Sequence, residues 1–319
     1  MLEKLQKLYV HNLEMAAWGY LTIGLDNFFV DRKHHHVSKQ AVIGNVSIAV
    51  ELLLKSFIAR KNLLLLFKSL PLELRALVTN PESIPDEFNW RFFEMELKSA
   101  SYPMIELDES IATFYLFFPQ ARHELQTHLK FLAKARNASV HSILPDFQQE
   151  YELNRVVFTA IRIVEIVRQD TVFIGDVTKK YPDSLPFMQE FQENLIEKVR
   201  KLVDNAKEKA KTLPSKNKLP CQVHISYWNQ AVLRCPICGS LAILNGQTAP
   251  TTWIHDNQQE PGLFFIPDDF LCFECGLKLE GENEMRLAGI NLNSMEFDRS
   301  ENLQDYYNDQ FYSVTYFDE

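Results

Sequence analysis

Residues 41–58 have the sequence AVIGNVSIAVELLLKSFI, and this segment sets the architecture of the N-terminal half. Eighteen residues make about five helical turns, and the segment is apolar on nearly every face until Lys55. A helix that is apolar all round belongs in the interior of a protein. We therefore predict a central, buried helix over residues 41–68. Glu51 lies inside it, and a buried carboxylate needs a partner or a water-filled cleft; the alternative is a position at the rim of an imperfectly buried helix.

Apolar residues recur at three- and four-residue steps on both sides of this segment, which is typical of amphipathic helices. The pattern predicts helices over residues 2–29, 105–118, 120–135 and 150–170. Together these elements favour an antiparallel bundle of four or five helices in a domain over residues 1–175. Two segments interrupt the pattern. We interpret the polar run around His34–His36 as a solvated loop rather than a metal site, and the proline-rich residues 69–104 as a loop insertion.

The C-terminal part carries two matching cysteine pairs. Cys235 and Cys238 lie in the sequence CPICG, and Cys272 and Cys275 lie in the sequence CFECG. Two Cys-x2-Cys turns, each followed by a glycine that permits a tight backbone, are typical of a zinc ribbon. We predict one structural Zn²⁺ bound by these four thiolates, in a small β-rich domain over residues 220–319. Four thiolates close the coordination shell, so we expect no catalysis by this metal.

The rest of the C-terminal half gives weaker indications. The 33 residues between the cysteine pairs exceed the usual ribbon spacing, and we expect short strands over 240–244, 251–255 and 263–266 to fill them. Cys221 and His224 are further donor types, which we interpret as bystanders. Residues 176–219 are predicted to form a linker and a basic helix over 187–212. The acidic, aromatic tail from Asn291 to Glu319 is expected to pack as an edge strand or to bind a partner.

Composition limits the classes of function. The net charge is −9, and it is unevenly distributed: residues 197–218 carry eight basic and three acidic side chains, whereas residues 239–319 carry three and 15. The chain therefore lacks the overall basic character of many nucleic-acid-binding proteins. No run of 18 apolar residues and no signal-peptide pattern is present. We expect a cytoplasmic protein without a membrane span.

The segment ARNASVHS, residues 135–142, combines three residue types that suit metal-free cleavage of RNA. The guanidinium of Arg136 can bind a phosphate in bidentate fashion. The imidazole of His141 can transfer a proton near neutral pH, and the amide of Asn137 can orient either group. In such a reaction the ribose 2′-OH attacks its own phosphate. The sequence therefore predicts a candidate site where this segment follows a helix.

This segment resembles the Arg-x4-6-His motif of the HEPN superfamily (higher eukaryotes and prokaryotes nucleotide-binding). Residues 49–55, AVELLLK, are similar to the helix of that family whose acidic residue pairs with the motif arginine. The resemblance covers about residues 1–170 and implies an all-α domain and a homodimer with two Arg/His sets facing one cleft. It also implies ribonuclease activity that leaves a 2′,3′-cyclic phosphate. Family members of this type often act as toxins or in defence against phage.

The resemblance also assigns roles to four residues. His141 would take or donate the proton, Arg136 would hold the phosphate, Asn137 would orient His141 or the ribose, and Glu51 would fix Arg136. The metal ligands would be Cys235, Cys238, Cys272 and Cys275. The predicted partners are RNA, a second copy of the chain and a protein bound through the zinc ribbon or the acidic tail.

Several alternatives stay open at this point. Arg122 and His128 also match the motif spacing, although both fall inside one predicted helix and face different sides of it. Arg136 and His141 would serve only as cationic residues at a helix C-terminus if they have no catalytic role. The chain would then be a non-catalytic dimer that binds nucleic acid or nucleotide, with the ribbon docking a protein. A structural subunit that docks through its acidic tail is a third reading.

Overall fold

The computed structural model describes residues 2–30, 38–68, 103–140, 150–168, 175–213, 224–227, 229–255, 258–292 and 296–297. The chain divides into two compact units, Met1–Phe191 and Gln192–Glu319. The boundary falls within a helix of the stretch 176–219, which the sequence analysis treats as linker and basic helix. The protein is mainly helical, with a small antiparallel sheet in the C-terminal unit. The predicted run His34–His36 lies outside the described residues, and so does nearly all of the predicted insertion 69–104.

The N-terminal unit is built from α-helices joined by short helical turns. The elements in order are α1 (Leu2–Leu25) with a π-helical extension Asp26–Val30, α2 (Lys39–Lys61) followed by a 3₁₀ turn Leu63–Leu66, α3 (Leu107–Phe117), α4 (Pro119–Val140), α5 (Glu150–Val167), the short α6 (Val177–Lys180) and the start of α7 (Ser184–Lys211). The predicted helices are all present. Helix α4 begins at Pro119, a residue that suits the first turn of a helix, and it extends five residues beyond the predicted end at 135.

Helix α2 is the central element of this unit, as predicted. It contacts α1, α3, α4 and α5, and its apolar side chains are buried on every face. Ser38 caps its N-terminus, because the Ser38 hydroxyl accepts a hydrogen bond from the Ala41 amide at 3.2 Å. Among the described residues, α2 is the one helix long and apolar enough to cross a membrane, but 72% of its most apolar window is buried inside the protein. That burial is typical of a core helix.

The C-terminal unit is an antiparallel sheet with the strand order β1-β2-β3-β4-β5. Its strands are β1 (His224–Tyr227), β2 (Gln230–Arg234), β3 (Leu241–His255), β4 (Gln258–Leu271), β5 (Lys278–Glu280) and β6 (Glu296–Phe297). Strand β6, from the predicted tail, pairs with β4 at Leu263 and Phe264. A short helix, α8 (Gly281–Leu287), follows β5. The sheet and the later part of α7 share one core, in which Val199 and Ala206 lie with Leu244 and Phe270.

The interval between the cysteine pairs differs from the sequence prediction. The three predicted short strands are parts of two long strands, β3 and β4, which form one continuous hairpin. Gly246 and Pro250 look like strand breakers in the sequence. The ladder instead shifts register at a bulge between Asn245 and Gly246 and then continues. Beyond Asn245, the described part of β3 pairs with β4 alone, so a proline is tolerated there.

The central position of α2 predicts that shortening a side chain there destabilises the unit more than shortening one at the surface. Leu54 is fully buried in α2, so Leu54→Ala removes apolar contacts and leaves a cavity. We expect this change to lower the free energy of unfolding by about 2–5 kcal/mol. Leu116 on α3 is 80% exposed, so Leu116→Ala should change it by no more than about 0.5 kcal/mol. Urea unfolding followed by far-UV circular dichroism measures both, and equal effects would contradict a core centred on α2.

Candidate functional site

One carboxylate holds two cations at the centre of the helical unit. Glu51 lies on the fourth turn of α2 and is almost completely buried. Its Oε1 accepts a hydrogen bond from Lys55 Nζ at 2.6 Å. Its Oε2 lies 2.9 Å from Arg136 Nη2. The pairing of Glu51 with Arg136 that the sequence analysis expects is therefore present, although the catalytic roles of the two residues stay predictions.

Arg136 is placed to meet a ligand while remaining anchored. It lies in the last turns of α4, and 32% of its side chain is exposed. A guanidinium has five N–H donors in a planar fork. Glu51 contacts Nη2, which orients the fork from the protein side. The cluster of Glu51, Lys55 and Arg136 has two positive charges and one negative charge, so it carries a net charge of +1. A partly buried positive charge at the surface favours an anion.

The structure gives less information on Asn137 and His141, the other two residues of the predicted site. Asn137 follows Arg136 on α4 and is exposed to solvent. Helix α4 ends at Val140, so His141 is the next residue in the sequence. His141 lies outside the described residues. The structure thus brings Glu51 to Arg136, with Asn137 next to it in the chain, and gives no position for the predicted proton-transfer group.

In the alternative pair, Arg122 and His128, the histidine lies in the core of the helical unit. His128 is 3% exposed and packs against the rings of Phe158 and Phe191, with its ring centroid 5.4 and 6.1 Å from theirs. Its Nδ1 accepts a hydrogen bond from Arg155 Nε at 3.1 Å. An imidazole that accepts at Nδ1 and packs among aromatic rings is a core side chain without access to RNA. This geometry counts against Arg122 and His128 as the catalytic pair.

Lys55 is the member of the cluster that sequence reasoning missed. The sequence analysis treats Lys55 only as the point where the apolar character of α2 ends. Its spacing of four residues from Glu51 was the available indication, because Glu and Lys at i and i+4 face each other on a helix. Lys55 binds Oε1 of Glu51, and Arg136 contacts the other carboxylate oxygen, Oε2. A second carboxylate, Glu14 of α1, is also fully buried and pairs with Arg60 of α2.

The four cysteines of the C-terminal unit form one cluster. Their sulphur atoms all lie within 4.8 Å of one another. Cys235 Sγ is 3.6 Å from Cys275 Sγ, and Cys238 Sγ is 3.5 Å from Cys272 Sγ. Tetrahedral coordination with bonds of about 2.3 Å places sulphur atoms about 3.8 Å apart. The four thiols therefore fit around one metal ion.

Both cysteine turns have the same backbone geometry. The amide of Gly239 donates to Cys235 O, and the amide of Gly276 donates to Cys272 O, each at 2.9 Å. The two glycines have φ values of 73° and 72°, which side chains with a Cβ rarely adopt. The glycine after each Cys-x2-Cys pair is thus required for the turn that aims both thiols at one point.

The thiols differ in their protonation. Burial raises the pKa of the Cys235 thiol well above its usual range and raises that of Cys275 to about 11. Burial also acts to raise the pKa of Cys238, but hydrogen bonds from Ser240, Cys272 and Cys275 together outweigh it and lower that pKa to about 7. Metal binding requires thiolates, so it must displace protons from this cluster. Metal affinity should therefore fall as the pH falls.

No protein family, curated protein or solved structure matches this chain. The candidate site therefore rests on its own geometry.

The ion-pair cluster leads to a prediction about stability. Glu51→Gln leaves Lys55 and Arg136 without their carboxylate, and an uncompensated buried cation is costly. Because Arg136 is about one third exposed, we expect a loss of about 2 kcal/mol in the free energy of unfolding rather than the full cost of a buried pair. Adding Lys55→Met should restore part of that loss, since it removes the buried cation. Urea unfolding measures both.

The matched control is Glu124→Gln. Glu124 also accepts from an arginine on a neighbouring helix, Arg162 Nε, at 2.6 Å, but about a third of each side chain is exposed. Its loss should cost less than about 1 kcal/mol. Equal costs for Glu51→Gln and Glu124→Gln, with no recovery from Lys55→Met, would show that Glu51 does not hold a buried charge cluster.

The cysteine cluster leads to a prediction about metal content. The wild-type chain should contain one metal ion, and Cys272→Ser should lose it, because three thiolates cannot close the site. The C-terminal unit should then unfold while the helices of the N-terminal unit remain. Elemental analysis and limited proteolysis measure these effects. Cys221→Ser is the control, since Cys221 has no cysteine partner at the required spacing, and it should retain the metal. Wild-type protein without metal would contradict the prediction.

Proposed function

We propose that this chain is a metal-independent endoribonuclease of the HEPN type, with Glu51, Arg136, Asn137 and His141 as its site. The observation that supports this proposal is the contact between Arg136 and Glu51. The resemblance led us to expect this contact from two separate segments, and the two residues are 85 positions apart in the sequence. Arg136 lies in the last turns of α4, and this helix ends one residue before His141, which suits the same proposal.

The reaction needs only the groups of this site and the substrate. The ribose 2′-oxygen attacks the adjacent phosphorus, and His141 accepts or donates the proton in transit. The bond from phosphorus to the 5′-oxygen breaks, which leaves a 2′,3′-cyclic phosphate and a 5′-hydroxyl. Arg136 stabilises the negative charge that grows on the phosphoryl oxygens. The nucleophile belongs to RNA itself, so DNA is not a substrate.

The remaining residues of the cluster position Arg136. Glu51 holds Nη2, which fixes the plane of the guanidinium fork toward the phosphate. Lys55 neutralises Glu51, so that the carboxylate does not cancel the charge of Arg136. Asn137 orients His141 or the ribose. This division of roles explains why an acidic residue stands inside a site that binds a polyanion.

We further propose that the cysteine cluster binds a structural Zn²⁺ in a zinc ribbon. Thiolates are soft ligands, and tetrahedral sites with four cysteines are typical of zinc. With four protein ligands no position remains for a substrate, so the metal stabilises its unit and takes no part in RNA cleavage. The proposed partners are RNA, a second copy of the chain, and a protein bound through the ribbon or the acidic tail. We place the protein in the cytoplasm and its action in toxin or anti-phage systems.

A second candidate function is a non-catalytic dimer that binds nucleic acid or nucleotide. The strong acidity of residues 239–319, three basic against 15 acidic side chains, favours it. Such a surface repels RNA and slows the encounter that an efficient nuclease needs. The cluster around Arg136 would then bind a single phosphate without cleaving it.

Cleavage of RNA tests the proposal. Wild-type protein in EDTA should cut RNA, leave 2′,3′-cyclic or 3′-phosphate ends, and leave DNA intact. His141→Ala should lower the rate about 10²- to 10⁴-fold, the usual contribution of general acid–base catalysis, and retain RNA binding. Arg136→Ala should lower the rate and weaken binding, because a phosphate contact acts in both states. Arg136→Lys should recover only part, since an ammonium lacks the planar fork. Gel assays and end-group analysis measure these outcomes.

Two matched controls separate chemistry from folding. Arg162 is 28% exposed and bound by carboxylates, much like Arg136, so Arg162→Lys should retain activity if the effect belongs to the site. His35→Ala, in the polar run that we interpret as a loop, is the control for His141. If the wild-type protein leaves all RNA intact yet binds it, the binding function should replace the nuclease. If Arg122→Ala abolishes cleavage and Arg136→Ala does not, the wrong pair was chosen.

A further inference from the structure

The outer face of α1 has the character of an interface. From residue 8 to the end of α1, the exposed positions are Leu8, Asn12, Met15, Ala16, Gly19, Tyr20 and Ile23. None of them is charged. The four large side chains Leu8, Met15, Tyr20 and Ile23 are between 40% and 51% exposed. These residues follow helical spacing, so they form one continuous stripe about 23 Å long at 1.5 Å per residue. We call this stripe the α1 face.

The charged side chain of this part of α1 faces the protein interior. Between positions 8 and 25 the one residue with a full charge is Glu14, and the other titratable side chain on a polar residue, His11, is half-buried. Glu14 is fully buried, where it accepts hydrogen bonds from Arg60 of α2. A helix at the surface of a monomer normally buries its apolar stripe and exposes its charges. Over this length α1 buries its charge and exposes apolar side chains, which points to a surface that is covered in the working assembly.

The centre of the α1 face is flat and open. Ala16 and Gly19 lie there, and a Cβ added to Gly19 would meet nothing within 4 Å. Small residues allow two helices to approach closely, with larger neighbours packing on either side. Met15 and Tyr20 flank this centre, and Leu8 and Ile23 lie at its two ends. The face therefore has small side chains at its centre and larger apolar side chains on either side.

The arrangement is complementary to itself. Six of the seven exposed positions, 8, 12, 15, 16, 19 and 23, are symmetric about a point between Met15 and Ala16. The seventh, Tyr20, would lie opposite the half-buried His11. An antiparallel second copy would place Leu8 opposite Ile23, Asn12 opposite Gly19, and Met15 opposite Ala16. Each small residue then faces a larger one, and no charge meets its own copy. An isologous contact around a two-fold axis requires a patch that fits itself in this way.

We propose that the α1 face binds the α1 face of a second copy of this chain, as an antiparallel helix pair centred between Met15 and Ala16. The nuclease proposal implies a dimer without naming a surface. The present inference names one from exposure and charge, and it holds whether or not the chain cuts RNA. A contact of this length falls near the lower limit for specific interfaces, about 1,000 Å² in total. We therefore expect a dimer that dissociates on dilution.

Sedimentation of the full-length chain gives the first test. Wild-type protein should show a concentration-dependent dimer. Ala16→Glu should shift it to monomer, because two like charges would meet near the two-fold axis, while the circular dichroism spectrum stays unchanged. Ala112→Glu is the matched control, since Ala112 is likewise an exposed helical alanine, on α3. It should remain dimeric. A monomer at all concentrations for the wild type, or dissociation caused by Ala112→Glu alone, overturns the proposal.

Cysteine cross-linking tests the register. In a Cys221→Ser background, a mixture of Leu8→Cys and Ile23→Cys chains should form disulfide-linked heterodimers. Neither chain should cross-link to itself, because positions 8 and 23 are about 22 Å apart along the helix. Self-linking of Leu8→Cys would indicate parallel helices and overturn the antiparallel pairing. A wild-type monomer that binds neutral lipid vesicles would assign the α1 face to a membrane instead. Since neither test measures RNA cleavage, its failure is separate from failure of the nuclease proposal.

Discussion

The helical unit depends on the electrostatic compensation of one carboxylate in an apolar helix. A charge inside a protein costs several kcal/mol unless partners offset it. Glu51 meets this requirement with Lys55 on its own helix and Arg136 on α4. The requirement fixes two features at once: the last turns of α4 must lie beside the middle of α2, and the guanidinium must be oriented from within. The buried carboxylate therefore requires the guanidinium of Arg136, and the exposed part of that guanidinium is the candidate anion site.

Much of this architecture follows from residue patterns. The apolar run of residues 41–58 predicted a central helix, because an eighteen-residue helix without a polar face must be surrounded by other elements. The cysteine spacing and its two glycines predicted the metal cluster, since the turn geometry is local. A buried carboxylate indicated that Glu51 needs a partner, whereas the choice of Arg136 was expected only from the resemblance to the HEPN helix. Lys55 was missed because it was interpreted as the end of the apolar part of α2. Its position four residues after Glu51, on the same side of the helix, was not considered.

Other features could not be predicted from the sequence. The sequence predicted separate strands over 240–244 and 251–255, but a bulge at Asn245 and Gly246 absorbs the irregularity and the hairpin of β3 and β4 continues through it. Whether a local breaker ends a strand depends on the neighbouring strand, which single-sequence reasoning does not contain. His128 had the motif spacing of a catalytic residue and is nevertheless a core side chain. Its burial depends on Phe158 and Phe191, which come from other helices.

Two interhelical ion pairs explain how α2 selects its neighbours. Apolar burial supplies most of the stabilisation, but it is not directional. Glu14 with Arg60 joins α1 to one end of α2, and Glu51 with Arg136 joins α4 to its middle. A rotation of either helix would bury one charge without its partner, so each pair specifies which face of the helix turns inward. In α1 the inward face is the one that carries Glu14. The residues of the α1 face must then point outward, so the pairing that orients α1 also creates the apolar surface that a second chain can cover.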